Sequence, residues 1–203
     1  VMAPSPAAFV RGVDRRRDGA RLASFVRRWI KGPELTALFV TLRTMLEEFG
    51  SLEACFAAGY DPSHEDVGPA LDAFAARGGK SYFFSRPSTG AACKRMNLFL
   101  RWMIRQDAVD PGGWTMIPPS KLVIPLDTHT IRLGKCLRLT RRATPGWKMA
   151  VDITCALRRF DPADPVRYDF SLCHIGMMGA CGYGTTRRDD QCPLKPHCHP
   201  KRR

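Results

Sequence analysis

The chain has 203 residues, and its 32 Lys and Arg against 19 Asp and Glu give a formal net charge of +13. That excess goes beyond what solubility asks and favours a polyanionic partner, nucleic acid before others, while 44% hydrophobic residues allow one domain with a proper core and argue against a disordered chain. No apolar run approaches the roughly 20 residues of a membrane span, and Val1-Met2-Ala3-Pro4 has neither the charged nor the apolar region of a secretory signal, so the expected setting is cytoplasmic.

Read in chain order, helix follows helix. Residues 4–11 predict a short first turn. Residues 20–31 form a mixed segment, with Leu22, Phe25, Val26 and Trp29 on one face. Gly32 and Pro33 restart a helix, proline being tolerated at the first position. Leu35, Leu38, Phe39, Leu42, Met45 and Leu46 follow helical spacing up to Gly50. Ser51 caps a short helix through Ala58. Ser63 with Asp66 predicts a capping-box start for a helix to Ala76. Gly78 to Thr89 reads as a loop.

Residues 92–106 predict a strong helix, with Met96, Phe99, Leu100 and Met103 on its apolar face and Arg95, Arg101 and Arg105 off it. Prolines and glycines exclude a regular helix over 107–126. Thr128 starts the next helix, to about Leu139, and two more cover roughly 146–159 and 164–179. No alternating strand pattern runs for more than a few residues. The fold class is therefore all-α, with a helical domain at 1–180 and a Cys-rich, basic tail at 181–203.

Eight cysteines occur. Cys55, Cys93, Cys136, Cys155 and Cys173 fall in apolar helical patterns, where reduced, buried thiols are expected. The other three, Cys181, Cys192 and Cys198, cluster at the C-terminus, which suits a metal site better than a disulfide framework.

Two segments carry chemistry. The first is Gly90-Ala91-Ala92-Cys93-Lys94. A small-residue turn entering a helix presents free backbone N–H groups, which bind phosphate without reading bases. Lys94 in the first turn opposes the helix dipole. A solvated surface lysine is one role for it. A nucleophilic amine, favoured by desolvation and by the adjacent Arg95, is the other. The second segment is Leu126-Asp127-Thr128-His129. Asp127 occupies an N-cap position. A carboxylate fixed there is also a good stabiliser of a developing cation, with His129 beside it as a supporting hydrogen-bonding residue.

Together these segments resemble the helix-hairpin-helix DNA glycosylase superfamily. Gly90-Ala91-Ala92-Cys93-Lys94 is similar to the G-V-G-R-K hairpin of the endonuclease III type, with Ala92 in place of the second glycine. Leu126-Asp127-Thr128-His129 is similar to its V-D-T-H. The interval from Lys94 to Asp127, 33 positions, exceeds that of the endonuclease III branch and is nearer that of the archaeal 8-oxoguanine glycosylase branch. The strings Ala92–Met103 and Asp161–Phe170 further resemble a bacterial family of hypothetical proteins, whose members carry additional helices before the point where this sequence begins.

The resemblance implies a glycosylase-like helical bundle, a nucleoid-associated monomer and duplex DNA containing a damaged base, 8-oxoguanine first, as partner. It implies base flipping and a Schiff base on Lys94, with Asp127 steadying the sugar cation and AP lyase cleavage following. Trp102, Trp114 and Phe84 are candidates for a base-stacking face, with core packing as the competing role for each. Gly90, Ala91, Ala92, Arg86, Lys121, Arg132 and Lys135 are candidate DNA contacts. Lys80, Arg95, Arg138, Arg141 and Arg142 extend the same basic stripe.

The chemistry requires no cofactor. The superfamily's C-terminal iron–sulfur loop is only partly matched. The interval Cys192 to Cys198 fits, Asp189 stands where a cysteine is usual, and Cys181 is one position out of register. An iron–sulfur cluster with Asp189 as ligand, a zinc site completed by His197 or His199, and a loop that binds nothing all stay open. A non-catalytic helix-hairpin-helix DNA-binding module is the alternative to the enzyme, and a metal-stabilised helical protein with a different polyanionic partner, such as RNA, a third reading.

Overall fold

Ser5 accepts a hydrogen bond from the Ala8 amide and so caps the first helix of the computed structural model, α1 (Pro6–Arg11). The structure describes residues 5–79, 81–177 and 192–199. Its helices continue with α2 (Arg17–Leu22), α3 (Gly32–Phe49), α4 (Leu52–Ala57), α5 (Gly68–Arg77), α6 (Lys94–Ile104), α7 (Thr128–Cys136), α8 (Trp147–Arg158) and α9 (Asp169–Met177). One antiparallel hairpin, β1 (Val26–Arg27) with β2 (Ile30–Lys31), is the strand content of the described residues outside a single bridge at Gln106 and Pro111. The chain is thus mostly helical. No helix among the described residues is long and apolar enough to cross a membrane.

The chain divides into two compact units, Val1–Asp61 with Pro69–Phe84, and Pro62–Gly68 with Ser85–Arg203. In the first, α1 and α2 pack on α3 around Val13, Leu22 and Phe39, with Phe9 set edge-on to Phe39 at 5.4 Å. Phe56, Phe74 and Phe84 continue this unit's core. Ser51 caps α4 as expected, accepting from the Ala54 amide at 3.0 Å.

Two expectations for this unit need correction. Residues 20–31 do not share one face: Leu22 ends α2 buried, whereas Val26 and Trp29 lie on an exposed hairpin. The helix expected from Ser63 begins at Gly68, where Asp66 accepts from the Gly68 amide at 2.7 Å. The aspartate of the expected box meets the first amide of that helix.

Gly32 shows why α3 opens on a glycine. A Cβ there would fall 1.9 Å from the Leu22 carbonyl oxygen, a backbone atom that cannot swing aside. Gly32→Ala is expected to lower unfolding free energy by about 1–3 kcal/mol through overpacking, read as a lower urea midpoint with an unchanged slope.

In the second unit the irregular strap between α6 and α7 is mostly interior. Ile117, Leu122, Val123, Ile124 and Leu126 are all buried, and the Ile124 amide donates to Thr154 Oγ1 at 3.0 Å. Such a backbone needs partners from neighbouring elements because it has no helix ladder of its own. The strap also encloses the polar side of α6. Arg101 and Arg105, off the apolar face as expected, are nonetheless 5% and 6% exposed. Asp110, Asp164 and Asp169 meet them there. Buried guanidinium groups persist only when paired in this way.

Candidate functional site

The hairpin before α6 is built by two left-handed residues, Gly90 and Cys93. Glycine takes that conformation without cost; Cys93 does not. The Cys93 thiol donates to the Ser85 and Ala91 carbonyls, each at 3.3 Å, which helps hold it there. The Trp147 amide donates to the Gly90 carbonyl at 3.1 Å and pins the turn to the start of α8. The hairpin therefore delivers Lys94 as the first residue of α6.

Asp127 is delivered by the buried strap. Its Oδ1 accepts from the Thr130 amide at 2.7 Å, so it does cap α7. Capping uses only that oxygen. Oδ2 stands 3.7 Å from Lys94 Nζ and accepts from the Cys173 thiol on α9 at 3.3 Å. The pair is asymmetric: the Lys94 side chain is 48% exposed and that of Asp127 only 13%. Burial acts to raise the Asp127 pKa, but the Thr130 amide, the Cys173 thiol and the Lys94 charge outweigh it and hold the carboxyl below its usual range. Burial and the facing carboxylate push Cys173 up to about 11, so it stays a thiol donor at neutral pH. The desolvation expected of Lys94 is not met by the chain itself.

His129 and Arg132 hold α9 against α7. A Cβ on Gly176 would fall 2.5 Å from His129 Cβ, so the two helices touch only because residue 176 is glycine. Arg132 Nη2 bridges His129 Nδ1 at 3.2 Å and the Gly176 carbonyl at 2.9 Å. This clasp brings Cys173 to Asp127, a contact between residues 46 apart that no local pattern announces. Arg95, the other supporting residue expected, is exposed beside Lys94.

Cys173→Ala is expected to raise the Asp127 carboxyl pKa, since it removes a donor to the charged form. Cys173→Ser should leave it nearly unchanged. A depressed carboxyl pKa stabilises above its unfolded value, and this is lost as pH falls through the folded value. A carboxyl NMR titration of the three proteins reads the shift directly.

Several other expected site residues are otherwise engaged. Lys121 Nζ donates to the Pro62 and His64 carbonyls at 2.8 and 2.6 Å, and Lys135 Nζ to the Ala143 carbonyl at 2.9 Å. With Arg132 they are tied within the fold, so three of the expected phosphate contacts are intramolecular bonds here. Trp114 is 8% exposed and set edge-on to Phe99. Phe84 is a core residue of the first unit, against Phe74. Of the aromatic candidates, Trp102 is the one left open, at 46%. Ala91 and Ala92 are half-buried and Arg86 is partly exposed. Beside Gly90, an open recess of about 420 Å³ is bordered by Arg142, Trp147 and Lys148.

The cysteine expectations also change. Cys136, expected as a buried free thiol, forms a disulfide with Cys198. Cys198 therefore has no thiolate for a metal in this form. Cys192 is buried with a free thiol, His197 and His199 are exposed, and Cys181 and Asp189, like Lys80, lie outside the described residues. Among the described residues no group of three or more His, Cys, Asp or Glu is placed to hold a metal ion. Cys155 and Cys173 are partly exposed rather than buried.

The chain belongs to the family described as protein of unknown function DUF2400, whose model matches residues 1–178. No curated protein and no solved structure matches it.

Proposed function

We propose that this DUF2400 member is a helix-hairpin-helix DNA glycosylase with AP lyase activity, acting on an oxidised base, 8-oxoguanine first. The observation that carries the reading is the facing of Lys94 and Asp127 at 3.7 Å, each at the start of its helix. An exposed amine over a mostly buried carboxylate leaves one side of the pair open to a substrate. The sugar of a flipped nucleotide would enter there and supply the desolvation that Lys94 lacks.

In this mechanism the ammonium of Lys94 first gives a proton to solvent as the entering sugar desolvates it, and the free amine then attacks C1′. The N–C1′ bond forms as the glycosidic bond breaks, and the base leaves with the electron pair. The carboxylate of Asp127 stabilises the positive charge that builds on the sugar. Opening of the sugar ring gives a Schiff base, from which β-elimination expels the 3′ phosphate. The low pKa of Asp127 suits a charge stabiliser, because the group stays ionised throughout. No cofactor enters these steps. A duplex DNA partner, a monomer and a cytoplasmic setting belong to the same proposal, and the +13 charge favours the partner.

The test is borohydride trapping on duplexes carrying 8-oxoguanine, an oxidised pyrimidine, uracil or an abasic site. A covalent protein–DNA adduct, greatest with 8-oxoguanine, is expected. Tight binding of every duplex with no adduct, no base release and no nicking would replace the enzyme with a DNA-binding module.

A further inference from the structure

The hairpin at 26–31 does something the core does not need. Its strands are two residues each, paired Val26 with Lys31 and Arg27 with Ile30, and the two-residue turn between them is Arg28-Trp29. Such turns are ordinarily made by Asn and Gly, which accept positive φ. Here Arg28 takes φ 55, a strained choice for a long side chain. At the tip Trp29 is 60% exposed. It is braced edge-on by Tyr82 at 5.8 Å, with the Arg28 guanidinium 6.0 Å from its ring centre.

Charge is concentrated in the same stretch. Residues 11–31 hold eight Arg and Lys and only two acids, Asp14 and Asp18. Both acids are engaged: Asp14 accepts from the Arg16 and Arg17 amides, and Asp18 from the Asp14 amide, Arg17 and Arg21. The surface around the hairpin is left cationic, with Arg27 and Lys31 exposed.

We infer that this hairpin is a second nucleic-acid contact, one that stacks Trp29 on an unpaired base of a single strand. Arg27, Arg28 and Lys31 meet the flanking phosphates. An exposed indole braced by a second ring, with a guanidinium beside it and further cations on the same hairpin, is the pattern that single-strand binding uses, because every base offers a π-face and every linkage a charge. A bilayer surface would ask for a continuous apolar helix face. The large apolar residues exposed in this unit, Phe25, Val26, Trp29 and Tyr82, lie on the hairpin and in loops and form no helix face. The inference concerns the first unit alone and holds whether or not Lys94 is catalytic.

The test uses the full chain and a fluorescein-labelled single-stranded 12-mer, followed by anisotropy across a salt series. Trp29→Ala is expected to weaken binding about tenfold. Trp29→Phe, which keeps a ring, should recover most of it. Arg27→Gln with Arg28→Gln should reduce the salt slope by about 1.4, roughly 0.7 for each phosphate contact on a single strand. An unchanged urea midpoint confirms that the exposed variants remain folded. The inference is overturned if Trp29→Ala binds the strand as tightly as the parent chain. It is equally overturned if Trp29→Phe loses as much as Trp29→Ala, or if Trp29 governs partition onto anionic vesicles and not strand binding.

Discussion

Lys94→Gln is expected to abolish the borohydride-trapped adduct on every duplex while leaving the fold and duplex binding nearly intact. The Lys94 side chain is half exposed, so the substitution opens no cavity, and the mostly buried Asp127 carboxylate that loses its cation keeps the Thr130 amide and the Cys173 thiol as donors. With its ammonium half in solvent and 3.7 Å from the carboxylate, the pair contributes about 1 kcal/mol to stability. The chemical loss is of another order, since the lone pair of an amide nitrogen is delocalised into its carbonyl and forms no Schiff base. Lys94→Arg makes the same point from the other side. It keeps the positive charge a binding module would need, yet should give no adduct. Asp127→Asn keeps the shape and the Oδ1 cap but removes the charge, and base release should fall roughly 10²–10³-fold, the usual loss on deleting one electrostatic stabiliser. Single-turnover base release alongside gel-shift binding separates these effects. Retained adduct in Lys94→Gln would show that another amine reacts and would sink the assignment.

The parts of this molecule that could be read from its residues are those whose cause is local. The spacing of Leu35 to Leu46 foretells α3, a serine hydroxyl foretells the start of α4, and an aspartate ahead of Thr128 foretells the cap of α7. Lys94 and Asp127 were legible because each stands at a recognisable helix entry. Their approach to 3.7 Å was not, since it depends on how the strap packs. The hairpin at 26–31 escaped because two-residue strands are too short to alternate, and its apolar residues mimic a helical face. Cys173 escaped because its role comes from the Gly176–His129 contact. The pairing of Cys136 with Cys198, 62 positions apart, has no spacing signature. Arg101 and Arg105 mark a more general limit. Periodicity says which side of a helix is polar, but not whether a later segment covers it.

That covered side yields the second large expectation, a stability effect centred on Asp110. This carboxylate is fully buried and accepts from Arg101 at 2.9–3.1 Å and from Arg105 as well. Asp164 and Asp169 take up the remaining faces of the two guanidinium groups. Removing one acid from such a cluster does not simply subtract an attraction. It leaves two buried cations short of a partner, and the uncompensated charge dominates the cost. Asp110→Ala should therefore lower unfolding free energy by about 3–5 kcal/mol, a large part of a domain's ordinary 5–15 kcal/mol. Asp169→Asn should cost far less. Burial pushes Asp169 up to about 6 although Arg101 opposes it, so folding shifts it towards the neutral form that Asn imitates. For an acid raised above its unfolded value of about 3.8, the contribution to stability is full below that value and lost as pH rises through about 6. The Asp169→Asn protein should thus lose part of the parent's decline in stability between pH 4 and about 7, whereas Asp110→Ala should be weak throughout. Urea unfolding at several pH values distinguishes the two. Equal losses in both variants at neutral pH would mean that Asp169, and not Asp110, carries the ion cluster.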